Sequence, residues 1–364
     1  MDTELLDMDW RALMAFLPSD LEASARAHGF IQRSTGRQNA QSWLRLILMH
    51  AAGGLSLSQT VARAKVHGWA GVSAVALHKR LGRAGPWLES LTSHLLVSQR
   101  KALSALPSIK GRVLRIVDAT DIQEPGATGT DWRLHYSLRL PDMVCDHFEL
   151  TDARGAEQFA RFAFHSGDAV LADRGYCHRP GVAHVLDANA DVVVRLVPSN
   201  FPLQDDEEKR FDAVAKCRDL KAEEQREWSV WFEHDGWLRP LRLCVLRKPE
   251  SAVREARRKL QQKASRKGTV LRAQTLAAAA CVMILTSLPV AEWSTSQILD
   301  LYRCRWQIEL AFKRLKTLLQ AGHVPKSSDP TAKAWMQAKV LTALLVETLL
   351  CDSRSFSPYS SRLG

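Results

Sequence analysis

The sequence predicts an α/β fold: a core whose strands present carboxylates, a β-rich insertion within that core, and an all-helical front. Three observations predict it. Residues 1–110 carry helical apolar periodicity and few strand signals. Between 113 and 197 lie short β-branched runs, two of which deliver an aspartate at their ends. Glu227–Leu246 then alternates apolar and polar residues around His234-Asp235-Gly236, as antiparallel strands do.

A chain of 364 residues suffices for two or three domains and a large core. Its formal net charge of +11 favours a polyanionic partner, although charge alone does not separate DNA from RNA or a membrane surface. The seven cysteines are scattered, odd in number and without a CxxC pair, as expected of reduced thiols in the cytoplasm rather than a zinc site. The acidic start, MDTELLDMDW, is unlike a signal peptide. Of the two most apolar runs, Thr275–Val290 is interrupted by Ser287 and Pro289, and Ala334–Leu350 carries Lys339 and Glu347. Neither reads as a membrane span, so no membrane partner is expected.

In the front, Ser19-Asp20 caps one helix and Gln41–Ala52 forms a second, stopped by Gly53-Gly54. A third starts near Ser56. After the turn at Gly68–Gly71, Ser73 caps a fourth over Ala74–Arg83, which carries Lys79, Arg80 and Arg83. Two short helices about a glycine turn, at 55–85, have the outline of a helix-turn-helix with the second as recognition helix. An ordinary helical hairpin with a basic face has the same outline. Arg33 and Arg37 sit in a polar loop that either reaches DNA or is mere surface.

The core begins at Gly111. Val113–Val117 is a strand that ends on Asp118; Trp132–Leu138 and Met143–Leu150 follow, the last after a turn at Pro141-Asp142. Gly155–Phe164 reads as helical. Ala169–Ala172 delivers Asp173 just before Arg174-Gly175-Tyr176, then come a short helix over Pro180–Ala188 and a valine-rich strand over Asp191–Val197. Strand ends in open α/β sheets line ligand crevices, so adjacency of these strands would bring Asp118 and Asp173 together. Asp121 is the alternative to Asp118, and Asp168 is expected at the wrong end of its strand.

The insertion, 199–294, contains a charged loop over Leu203–Arg210, the hairpin, and a helix over Ser251–Thr269. From Ser251 to Thr275 there are eight Lys/Arg against one acid, Glu255. Such a run either tracks a DNA backbone or is a solvated face. Cys281–Leu288 is β-like and returns the chain to the core.

Ser294 or Thr295 caps the next element, and Trp293 before it suits a buried staple. Tyr302–Lys316 reads as one helix without Gly or Pro. Tyr302, Arg305 and Lys316 lie at offsets −7, −4 and +7 from Glu309, which is about +20°, −40° and −20° around a helix. One face thus carries a phenol, a guanidinium, a carboxylate and an ammonium, suited to a metal ion beside phosphate oxygens. It equally suits a solvated face with i,i+4 ion pairs. An apolar helix over Thr331–Leu350, with Pro330 before it, is expected to cover the sheet.

The spacing Tyr-x2-Arg-x3-Glu-x6-Lys, with Trp306-Gln307-Ile308 and Phe312-Lys313 around Glu309, resembles the signature of DDE transposases of bacterial insertion sequences, the insertion-sequence-four family. Asp118-Ala119-Thr120 and Asp173-Arg174-Gly175-Tyr176 resemble its two aspartate motifs. The Asp173-to-Glu309 separation of 136 residues resembles the subgroup with an inserted domain there. The resemblance covers roughly 110–325. It implies a ribonuclease-H-like core in which Asp118, Asp173 and Glu309 hold two Mg²⁺ or Mn²⁺ ions, and Tyr302, Arg305 and Lys316 bind phosphate; in relatives an aromatic near the place of Trp293 takes up an unstacked base. Arg174, beside Asp173, either joins the phosphate binders or is a surface or ion-paired arginine. The resemblance also implies binding of terminal inverted repeats, hydrolysis at the element ends, joining of the 3′-OH to target DNA, a hairpin intermediate, a homodimer in the DNA complex and a place at the bacterial nucleoid. A catalytically inactive DNA-binding derivative and a metal-dependent nuclease are the alternatives.

Overall fold

The structure, a computed structural model, describes residues 10–32, 38–103, 109–123, 131–140, 143–266, 268–318 and 329–355. Arg33, Arg37 and the Pro141-Asp142 turn lie outside the described residues.

The front is helical: α1 (Leu21–Ala27), α2 (Ala40–Ala52), α3 (Leu57–Val66), α4 (Ala74–Leu81) and α5 (Gly85–Leu103). Its caps are side chains that the sequence supplies. Asp20, Asn39 and Ser73 each accept from a first-turn N–H, and Ser56 with Gln59 closes a capping box on α3.

One sheet of ten strands, order β3-β2-β1-β4-β5-β10-β9-β8-β6-β7, forms the body. Its first half is β1 (Val113–Ile122), β2 (Trp132–Leu140), β3 (Val144–Asp152), β4 (Asp168–Ala172) and β5 (Asp191–Arg195). β1, β4 and β5 run parallel; β2 and β3 are antiparallel neighbours. Between β4 and β5 runs α6 (Arg179–Asp187). The second half, β6 (Leu203–Gln204), β7 (Arg210–Phe211), β8 (Gln225–His234), β9 (Trp237–Arg247) and β10 (Cys281–Thr286), joins edge-on, because β10 pairs antiparallel with β5. The short helix α7 (Ala213–Lys216) follows β7, and the β8–β9 turn holds Asp235 and Gly236 at φ 51° and 77°, the conformation of a tight two-residue hairpin. Helices α8 (Glu250–Arg266) and α9 (Ala273–Ala278) lie between β9 and β10. The chain ends with α10 (Thr295–Arg303), α11 (Trp306–Leu318) and α12 (Asp329–Ser355).

Strand alternation divides the core in two. Leu114, Ile116, Ala169, Leu171, Val193 and Ile284 belong to one buried cluster, shared with the front helices and α10–α12. Val117, Val170, Ala172, Val192, Val194 and Leu285 face the other, shared with α6 and the inserted strands. A buried arginine is also built into the sheet. Arg115 pairs with Asp146 at 2.8 Å and Asp168 at 3.1 Å and donates to the Ala163 carbonyl.

Several expectations are revised. β1 runs on to Ile122, so Asp118 lies within the strand; its far half is paired with β2 up to Ile122 opposite Trp132. Gly155–Phe164 holds only a short 3-10 turn, Phe159–Arg161, because Phe159 and Phe162 are buried in the second cluster, against Tyr176. The loop over Leu203–Arg210 contains β6 and the start of β7. α12 packs chiefly on α2 and α5, and on β3 at the sheet edge, rather than across the sheet. Among the described residues no helix is long and apolar enough to cross a membrane.

Candidate active site

The parallel pairing of β1 and β4 ends at Val117 opposite Ala172. The next residue on each strand is an aspartate, so adjacency follows from register alone. Asp118 stays in the ladder opposite Tyr136 of β2, and its Oδ1 accepts from the Ala119 N–H at 2.8 Å. Asp173 leaves the sheet into the 3-10 turn Arg174–Tyr176. Asp121, three residues along β1, points to the opposite face and pairs with Arg133 at 3.0 Å. Asp168 sits at the other end of β4, buried against Arg115.

Gly175 in that turn makes room for Glu157. A Cβ on Gly175 would stand 1.9 Å from Glu157 Oε2, so the absent side chain leaves room for a further carboxylate beside the two aspartates. Glu157 is half-buried, and burial pushes its carboxyl up, with Asp173 and Asp121 adding to the effect.

The helical side of the site departs from one continuous helix. α10 stops at Arg303 and α11 starts at Trp306. Between them Cys304 and Arg305 bond back to Leu301 and Tyr302 in tightened i,i+3 fashion. No Gly or Pro causes this break. It leaves Tyr302 on one helix and Glu309 on the next, with Arg305 in the turn. α10 is held by the Ser294–Gln297 capping box and by buried Ile298, Leu299 and Leu301. α11 is anchored by Ile308, Phe312 and Leu315, and Phe312 meets Tyr136, the cross-strand neighbour of Asp118, edge-on at 5.8 Å.

The side chains nevertheless converge. The Tyr302 hydroxyl donates to Asp173 Oδ1 at 3.2 Å. Arg305 approaches Asp118 Oδ2 at 3.5 Å and also pairs with Glu309. The Asp118 carboxyl is pushed up to about 7, first by burial; the Ala119 N–H and Arg305 oppose the rise, while Glu157 and Asp173 add to it. Burial, then Asp173, raises the Tyr302 phenol. Burial pulls the Arg305 guanidinium down, but its bond to Glu309 and the nearby Tyr302 and Asp173 outweigh that and raise it.

Glu309 is the most open of the set, its side chain 58% exposed. Lys316 is exposed in the last turn of α11. Arg174 is exposed beside Asp173 on the opposite side from Glu157. In the front, Lys79 and Arg83 are exposed, whereas Arg80 turns inward, donating to the Phe30 carbonyl and lying over the Phe30 and Trp43 rings. Trp293 is buried under Lys110, whose ammonium lies 4.6 Å from its ring.

Among the described residues no three His, Cys, Asp or Glu side chains are close enough to hold one metal ion as they stand. The donor chemistry nonetheless fits a hard divalent cation: carboxylate oxygens, with a guanidinium as the present counter-charge between Asp118 and Glu309.

A protein-family model described as the Transposase DDE domain matches residues 109–345. The chain belongs to the DDE transposase family. Consistent with this, it is 37% identical over 361 residues, 97% of each chain, to the Escherichia coli (strain K12) chain named transposase InsL for insertion sequence element IS186A. It is also 37% identical over 362 residues, again 97% of each, to the Escherichia coli transposase for insertion sequence element IS421. Among solved structures, the piggyBac transposase synaptic complex with hairpin DNA aligns with 94% of this chain and 75% of its own, at TM-score 0.48 and 9% identity. The transposase thus has its two neighbouring aspartates and Glu309 inside the matched region. Glu157, Arg195 and Lys248, beside the site, escaped the sequence reading. The one signal for Arg195 is a lone charge closing the apolar run Val192–Val194.

Proposed function

We propose that this transposase binds the terminal inverted repeats of an insertion sequence, cuts its ends by metal-dependent hydrolysis and joins the freed 3′-OH to target DNA. One observation carries the reading. Adjacent parallel strands set Asp118 and Asp173 side by side, and the α10–α11 turn brings Arg305 to Asp118 with Glu309 on the other side of its guanidinium. The sheet order β3-β2-β1-β4-β5 with α6 supports a ribonuclease-H-like core, 111–198 and 295–364, interrupted by the insertion at 199–294.

Asp118, Asp173 and Glu309 would hold Mg²⁺ or Mn²⁺, two ions per site. When bound, such ions activate the attacking oxygen and stabilise the leaving one in an in-line displacement at phosphorus. The protein's own share is charge and position. Arg305, released from its carboxylates, and Tyr302 hold the phosphate at the cut, while Lys316 and Arg174 hold the strand on either side. In the front, 1–110, the hairpin at 55–85 offers Lys79 and Arg83 to DNA, with Arg80 bracing it from within. A hairpin intermediate at the element end, a homodimer in the DNA complex and a nucleoid-bound cytoplasmic location complete the reading.

The test is strand cleavage of a labelled duplex carrying the element end, with Mg²⁺, by wild type and Glu309→Gln. The expected result is cleavage by wild type only, with DNA binding kept in both. Binding without cleavage by wild type would indicate an inactive derivative. Equal cleavage by both would remove Glu309 from the site.

A further inference from the structure

Beside Asp173, between the sheet and α8, lies a cavity of about 630 Å³, within the range of sites that hold a small ligand. Its charge is one-sided. Arg174, Arg195, Lys248, Lys259, Lys263 and Arg272 line it, and Asp173 is the single acid among the lining residues. The cations come from separate parts of the fold. Arg195 closes β5 opposite Ile284, Lys248 follows β9, Lys259 and Lys263 project from α8, and Arg272 precedes α9. Lys259 answers Glu255 at 3.4 Å, but Arg195 has no ion pair within 4.0 Å among the described residues. Leu196, Val214 and Met283 give the floor an apolar surface.

Such crowding opposes folding unless an anion enters. Burial pulls the half-buried Arg195 guanidinium down, and Arg174 adds to it. Burial does the same to Lys248, with Arg195 and then Arg174 adding; its ammonium is steadied on the Ala279 carbonyl at 2.8 Å. Like charges from separate elements, gathered along a partly apolar cleft, suit a ligand whose anionic groups repeat at intervals. A single DNA strand is such a ligand.

We infer that this cleft takes the phosphodiester backbone of a single DNA strand as it leaves the cleavage point, with Arg195 and Lys248 as the positioning residues deepest in the cleft. This rests on the transposase reading above, and it adds residues outside the Tyr-Arg-Glu-Lys set.

The test uses full-length protein and a short fluorescein-labelled single strand, read by anisotropy across a NaCl series, for wild type, Arg195→Gln, Lys248→Gln and Arg195→Lys. Each Gln variant is expected to bind on the order of tenfold more weakly. Its plot of log affinity against log salt should be shallower by about 0.7. Melting temperature without DNA should hold or rise, since a crowded charge has gone, and Arg195→Lys should regain most of the affinity. Wild-type affinity and slope in both Gln variants would overturn the inference. So would weaker binding that comes with a lower melting temperature and no rescue by lysine, the mark of a merely structural arginine. Wild type that cleaves element ends while the variants bind single strands normally removes this inference alone. Wild type that neither binds nor cleaves removes the transposase reading with it.

Discussion

Arg305 Nη1 stands 3.5 Å from Asp118 Oδ2, and the same guanidinium pairs with Glu309 on the following helix. The arginine therefore occupies the position of a counter-ion between two of the three carboxylates proposed to hold metal. Without metal, Arg305→Gln should lower the melting temperature by a few degrees, the effect of about 1–2 kcal/mol. Added Mn²⁺ should raise the melting temperature more in the variant than in wild type, because no guanidinium then competes for the carboxylates. A thermal-shift titration reads both. An equal Mn²⁺ response would deny the competition.

Tyr302 reaches Asp173 from the helix before the turn. Tyr302→Phe keeps the ring and deletes one hydrogen bond, which contributes about 1 kcal/mol. Cleavage should fall about fivefold with little change in duplex affinity. Unchanged cleavage would take the hydroxyl out of the site.

Asp168 and Asp173 bracket β4 and should separate cleanly. Asp168 is buried against Arg115, so Asp168→Ala takes one of two carboxylates from a buried guanidinium that keeps Asp146, and should cost about 1.5–3 kcal/mol in denaturant unfolding. Asp173→Ala should cost little stability and abolish cleavage. Parallel unfolding and cleavage assays check this, and a reversed pattern would exchange the roles of the two acids.

Glu347 ties α12 to β3, with the Cys145 N–H 3.5 Å from its Oε2. Burial pushes its carboxyl up to about 7, against the Cys145 N–H and Arg314. The folded chain therefore holds a proton that the unfolded chain releases near 4.5. This contribution is full below about 4.5 and lost as pH rises through about 7, at most about 3 kcal/mol. Glu347→Gln should thus leave stability unchanged near pH 4.5 and raise it at pH 8, as urea midpoints would record. No difference at pH 8 would show the carboxyl to be ordinary.

The parts legible in the sequence were those set by local pattern. The β-branched runs before Asp118 and Asp173 announced strands, and Ser294 announced the start of α10. The polar stretch Asp118–Asp121 reads as a loop by composition, yet long-range pairing with β2 keeps it in the ladder. The break at Cys304-Arg305 has no Gly or Pro to mark it, and only tertiary contacts show what the turn aligns. Glu157 and Arg195 draw their interest from neighbours remote in sequence, Gly175 in one case and Lys248 in the other. Arg80 looked like its neighbours Lys79 and Arg83 in the sequence; only packing turned it inward.

The edge-on addition of β10, β9, β8, β6 and β7 to β5 has a mechanical consequence. A flap joined by a linker can swing, but strands stitched to a neighbour by backbone hydrogen bonds can only twist with it. α8 and its lysines therefore ride on a stiff lever whose fulcrum is the β5–β10 seam, one strand away from Asp173. A strain applied at the outer edge would arrive at the carboxylates as a small rotation of β4 and β5 rather than as an opening of the groove. The DNA, not the inserted arm, would then have to bend to fit.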